Sequence, residues 1–259
     1  MLPLFKSHYS VGKSILTLSA PTQGSADDVV TPSSVFDIAH KHNLDRVFLV
    51  EDSLIGFLEA HKQSQELDID LCFGLRLTMC EDMNVEMTRS SSCATHKIIV
   101  FALNDDGCIL LNRLYSAAQT KGHGRLDAPA LKSLYDPSCL KIAIPFYDSF
   151  LFENTLSYKE PCLLDHSFFT PTFFIENNNL PFDLVLQDAV SNYAEGNFPI
   201  IHTKSIYYEN RSDFEAYQTY KCICGRGFST KAKTLDMPNL DHCGSPEFCF
   251  ESYLENESS

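Results

Sequence analysis

Pro199-Ile-Ile-His-Thr-Lys-Ser-Ile-Tyr-Tyr208 runs without a gap into Glu209-Asn-Arg-Ser-Asp-Phe-Glu-Ala-Tyr-Gln-Thr-Tyr-Lys-Cys-Ile223. Its opening, 199–201, reads as a short buried strand preceded by a helical pattern over 184–194. Toward the N-terminus the same alternation recurs. Strands are predicted over 46–50, 71–77, 97–102, 141–144 and 168–175, and helices over Phe57–Leu67 and 109–120. Thr31-Pro32-Ser33-Ser34 reads as a further helix start, with a capping hydroxyl and a proline in the first turn. Val35, Ile38, Ala39 and His42 then fall at helical spacing, and Asn43 closes that helix. Repeated βα units with short links predict an α/β fold with a parallel sheet, open or closed into a barrel.

The 259 residues suffice for one substantial core. A single domain over 1–255 is expected, with loop insertions at 11–30 and 81–95 and an acidic tail at 256–259. No apolar run approaches the roughly 20 residues of a membrane helix. The first residues, Met-Leu-Pro-Leu-Phe-Lys, lack the pattern of a secretion signal. The ten cysteines lie scattered through apolar segments, as at Cys72, Cys108 and Cys139, which suits buried thiols in a reducing cytoplasm. With 20 basic against 34 acidic residues, the net charge of −14 disfavours autonomous binding to a phosphate backbone and favours protein partners.

The opening stretch resembles the closing motif of the PHP domain found at the N-terminus of bacterial DNA polymerase III α subunits, P-V-V-A-T-N-D-V-H-Y followed by an acidic loop and a helix ending in C-I. Other segments resemble that family in the same order. They are 31–51, the glycine spacing from Gly56 to Gly74, Thr95-His96 leading into Asn104-Asp-Asp-Gly107, Thr234-Leu-Asp-Met-Pro-Asn239, and Phe248-Cys-Phe-Glu-Ser252. The resemblance implies a distorted (β/α)7 barrel, PHP-like, with a metal cluster at the C-terminal ends of the strands in active phosphoesterase or 3′–5′ exonuclease members.

The family's ligand positions have changed chemistry here. Leu4 and Lys6 stand for the two histidines of H-x-H-S-x-Y-S. Glu51 and Asp52 stand in the T-D-H motif, Arg76 replaces the glutamate of G-x-E, and His96 keeps the histidine of T-H. Lys204, Ser205 and Tyr207 replace the Asn, Asp and His of N-D-V-H. Near Ile144-Pro-Phe146, where another ligand would fall, none is found. Glu51, Asp52 and His96 are too few to fix a multinuclear cluster that ionises water. No metal and no other cofactor is expected. Lys6, Arg76 and Lys204 are expected to neutralise the surviving carboxylates, or, with His8, to form a candidate anion-binding pocket.

Gly12-Lys13-Ser14 lacks the upstream glycine of a P-loop. Cys222, Cys224, Cys243 and Cys249, with His242 nearby, match no common zinc spacing. The resemblance implies a catalytically degenerate, non-catalytic scaffold of bacterial or bacteriophage replication, with a polymerase or proofreading exonuclease subunit as partner. The alternatives are a divergent metal-dependent phosphoesterase and an anion-binding module.

Overall fold

The computed structural model describes residues 1–19, 32–85, 94–156, 161–225 and 242–257. Seven strands close into a barrel: β1 (Leu2–Phe5), β2 (Arg46–Glu51), β3 (Asp70–Cys80), β4 (Thr95–Ala102), β6 (Leu140–Ile144), β7 (Thr172–Ile175) and β8 (Ile200–Ile206). The order around it is β2-β1-β8-β7-β6-β4-β3, and β2 pairs with β3 to complete the circle. The two-residue β5 (Arg125–Leu126) lies outside it, against the extension of β3. The helices are α1 (Val35–Lys41), α2 (Phe57–Leu67), α3 (Asp105–Thr120), α4 (Ala128–Leu134), α5 (Phe150–Leu156), α6 (Asp183–Ala194), α7 (Phe214–Cys224) and α8 (Phe250–Glu257). The chain is thus an α/β barrel of seven strands.

An all-parallel sheet does not form. β4 runs antiparallel to both β3 and β6, with Cys80 opposite Thr95 and Gly74 opposite Phe101. β3 and β4 are thus antiparallel neighbours, and the described residues between them, 81–85 and 94, are not helical. Residues 86–93 of that connection, and most of the 11–30 insertion, lie outside the described residues, as do Thr31 and Thr234-Leu-Asp-Met-Pro-Asn239.

Alternation along each strand divides two cores. Leu4, Val50, Ile99, Phe101, Ala143 and Phe174 fill the barrel interior. Their strand neighbours, such as Phe5, Leu49, Val100 and Phe173, join the larger cluster between the sheet and the helices. Gly74 faces Phe101 across the β3–β4 pair, and a Cβ there would come within 2.6 Å of the Phe101 ring. Overpacking a filled interior forces side chains off their rotamers. Gly74→Ala is expected to cost about 1–3 kcal/mol, measured as a lowered urea midpoint with an unchanged slope.

Local chemistry sets several boundaries. Ser34 caps α1 by accepting Asp37 N at 3.4 Å, and Asn43 follows that helix with φ 52°. Asn104 caps α3 through Gly107 N at 2.9 Å, so that helix begins four residues before the predicted 109. β7 starts at Thr172, leaving Phe168 and Phe169 to pack against Tyr135. β8 continues to Ile206, well past 201. α8 extends through Asn256 to Glu257, so the acidic end is helical as far as the residues are described. Its Ser252 and Tyr253 are buried, and Arg211 bridges Glu247, Glu251 and Glu255 to hold the helix down.

Candidate functional site: a charged barrel mouth

At the C-terminal ends of the parallel strands, the inward-facing residues continue each strand's alternation. Lys6 follows Leu4, Asp52 follows Val50, and Glu176 follows Phe174; Arg76, Ser205 and Tyr207 lie on β3 and at the end of β8. Lys6, Arg76, Glu176, Ser205 and Tyr207 line one cavity with Tyr147 and His242. That cavity holds only about 30 Å³, room for about two waters.

Two ion pairs occupy the mouth. Lys6 Nζ lies 3.3 Å from Asp52 Oδ1, and Arg76 Nη2 donates to Asp148 Oδ2 at 2.7 Å and to Tyr147 O at 3.2 Å. Lys97, also on the inner face, donates from Nζ to Thr78 Oγ1. Burial lowers the Lys6 pKa, and Arg76 adds to that, while Asp52 acts in the opposite direction. Burial likewise lowers Lys97, with Arg76 again contributing. Burial would raise Asp52 and Asp148, but the neighbouring cations outweigh it and hold both carboxyls below the usual range. In each pair the cation favours the ionised form of its partner carboxylate.

Glu51 is held differently. It accepts from Ser7 N at 2.7 Å and from Ser10 Oγ, and Ser10 Oγ itself accepts from Asp52 N at 2.9 Å. These bonds fix the turn after β1 against the end of β2. Burial nevertheless pushes the Glu51 carboxyl upward.

The structure separates residues that the sequence placed together. His96 does not meet Glu51 and Asp52. It alternates with Lys97 and so lies on the outer face of β4, edge-on to Phe150 at 6.0 Å. Burial lowers its pKa to about 4, and its Nε2 has no hydrogen-bond partner among the described residues. Lys204 does not join Lys6 and Arg76 either. It shares the parity of Ile206 and donates from Nζ to Asn177 O at 3.1 Å. His8 packs against Tyr9 with the rings tilted by 35°, and its Nδ1 lies 3.3 Å from Leu16 O, so it too stands apart from the pocket. Leu4 is an ordinary interior side chain.

The mouth also contains residues that sequence reasoning missed. Glu176 accepts from Ser205 Oγ at 2.7 Å, Ser205 N at 3.0 Å and Asn178 Nδ2 at 2.8 Å. Asn178 also donates to Tyr147 OH, which donates to Asp183 at 3.0 Å. Extending the alternation of β7 by one residue beyond Ile175 would have found Glu176, and counting inward from Ile99 would have chosen Lys97 over His96. His242 packs against Tyr207 and Tyr147, and burial lowers it to about 3 although Asp148 acts in the opposite direction. No local signal in the sequence marks that contact.

The donor set does not fit a metal cluster. Leu4 offers no donor atom, Lys6 and Arg76 carry cations, and Ser205 donates to Glu176. Tyr207 is stacked between Tyr217 and Phe248, and burial raises its pKa, keeping it a phenol. Among the described residues, no group of three or more His, Cys, Asp or Glu side chains is placed to hold a metal ion. No described helix is long and apolar enough to cross a membrane.

These features define an α/β barrel whose mouth is closed by internal charge pairs. No protein-family model matches the chain, and no curated protein matches it. Among solved structures, it aligns with a Bifidobacterium adolescentis protein provisionally assigned as a metal-dependent phosphoesterase, at 11% identity and a TM-score of 0.36. The alignment covers 78% of this chain and 87% of that one. The functional reading therefore rests on the side chains of the mouth.

Proposed function

We propose that this chain is a catalytically degenerate PHP-like barrel that acts as a non-catalytic interaction module beside a replicative DNA polymerase. The observation that carries the non-catalytic part is the filling of the mouth by Lys6–Asp52 and Arg76–Asp148. A hydrolytic metal centre needs an open coordination position and carboxylate or imidazole ligands. Here Lys6, Arg76 and Lys97 stand among the inward positions, and Asp52 and Asp148 are already paired with the first two. What supports the polymerase setting is the order and spacing of the sequence motifs together with the net charge of −14.

Elemental analysis of tag-free protein incubated with Mn, Zn and Fe tests the first part. No stoichiometric metal and no phosphodiester hydrolysis are expected. A multinuclear metal complement would revive the phosphoesterase reading. Co-purification with polymerase or proofreading exonuclease subunits tests the second part.

One observation favours a second reading. Among the described residues, Lys6 Nζ and Arg76 Nε are buried at the cavity without hydrogen-bond partners, as in a site for a small anion. Glu176 at the same cavity, and the carboxylates already beside both cations, weigh against it. Thermal stabilisation by phosphate or chloride, lost in Lys6→Met, would establish it.

A further inference from the structure

α2 packs on β3 and α3 on the neighbouring β4, and a gap lined by both helices lies between them. Phe73, buried on the outer face of β3, floors the gap, and the Phe57 ring meets it edge-on at 5.1 Å. Two neighbouring cavities share Phe57, Phe73 and Cys108 and together form one groove, with volumes of about 460 and 190 Å³. The smaller one is walled by Leu54, Leu58 and Leu111. Leu58 is 76% exposed and Ile55 beside it 70% exposed. Single exposed apolar residues are ordinary, but Leu58 lines the smaller, apolar cavity and Ile55 adjoins Leu54 in its wall, and together they mark an interaction surface.

The other end of the groove is acidic. Asp68, Asp70 and Asp105 line the larger cavity. Arg46 engages Asp70 at 2.8 Å, whereas no ion pair engages Asp68 or Asp105 among the described residues. The groove is thus apolar at the start of α2 and negatively charged beyond its end. The eleven residues of α2 span about 16 Å, the length of three helical turns.

We infer that the α2–α3 groove docks an amphipathic helix of a partner protein, about three turns long, with its basic end over Asp68 and Asp105. Apolar side chains at i, i+3 or i+4, and i+7 would enter between Leu58 and Leu111, the usual geometry of a helix in a groove. Lysine or arginine, together with the positive N-terminal end of the helix dipole, would face the acidic rim. A nucleic acid fits neither the apolar floor nor the acidic rim. A second copy of this chain, at net charge −14, would bring like charge to like charge. The inference rests on the non-catalytic reading and supplies the surface by which such a module would engage its partner.

The test uses the full chain and a fluorescent model peptide of leucine and lysine, about three turns long, with leucines on one helical face and lysines toward its N-terminus. A scrambled peptide of identical composition is the control. The patterned peptide should bind more tightly than the scrambled one and slow alkylation of Cys108 but not of the exposed Cys224. Leu58→Asp, a surface change that should leave the melting temperature unaltered, should weaken binding by more than about tenfold. Asp68→Asn with Asp105→Asn should weaken it less and flatten its salt dependence. Asparagine retains the left-handed backbone of Asp68, where φ is 53°.

Equal binding of the scrambled peptide would overturn the proposal, as would unchanged affinity in Leu58→Asp or an equal loss in Leu184→Asp elsewhere on the surface. A solution dimer that Leu58→Asp dissociates would assign the groove to a second copy and overturn it as well. Hydrolysis assays on the same samples separate the two failures. Hydrolytic activity would sink the non-catalytic reading, whereas inactivity with no patterned binding would sink the groove alone.

Discussion

Breaking the Arg76–Asp148 pair is expected to cost about 3–5 kcal/mol, because removing one partner leaves a buried charge without compensation. The two sides should differ. The Arg76 side chain is 7% exposed and that of Asp148 37%. In Arg76→Met, water can screen the orphaned carboxylate, which puts the loss at the lower end of that range. In Asp148→Asn, the guanidinium stays buried beside Lys6 and Lys97, which puts the loss at the upper end. Asparagine tolerates the left-handed backbone at position 148, where φ is 60°, so this substitution reports on charge rather than on strain. The double variant Arg76→Met, Asp148→Asn should recover much of the loss, since an apolar replacement of a buried pair is often neutral. Urea denaturation of the three variants gives the coupling. Losses below about 1 kcal/mol on both sides would mean that the pair does not support the fold, and would strengthen the anion-site reading.

Stability is also expected to fall as pH drops from about 6.5 to about 4. His96 has a folded pKa of about 4 because burial disfavours its cation, against about 6.5 when unfolded. Between these values the unfolded chain binds a proton that the folded imidazole refuses. The stability contributed by neutral His96 is therefore complete above about 6.5 and is lost as pH falls toward 4, by about 3 kcal/mol in all. His242 is shifted the same way by burial and adds to the slope. Glu51 and Glu176, raised by burial, work in the opposite direction and offset part of the loss. Chemical denaturation at a series of pH values should show the decline, and His96→Leu should flatten it. A wild-type stability that is flat across this window would refute the assignment of neutral buried imidazoles.

Most of the element order was legible in the sequence because it is written in local periods. α2 matches its predicted bounds, and β2, β4 and β6 lie within a residue or two of theirs. β1 escaped because four residues ending in Phe5 give too short a period, and α4 and α5 because they are single short segments of seven residues. The reversal of β4 was also hidden. A strand reads the same in either direction, and only its pairing with β3 and β6 fixes its sense.

The candidate site divides along the same line. The sequence alone determined that Leu4, Lys6, Arg76 and Tyr207 are poor metal ligands, because donor chemistry belongs to a side chain in any fold. Only the tertiary structure decided which neighbours share the mouth. Barrel closure turns Lys97 and Ser205 inward and His96 and Lys204 outward, since shifting one residue along a strand moves a side chain to the opposite face. It also brings Asp52 to Lys6, Asp148 to Arg76, and Glu176 to Ser205 across long stretches of chain. Such pairings depend on register and strand order, which no local pattern of residues encodes.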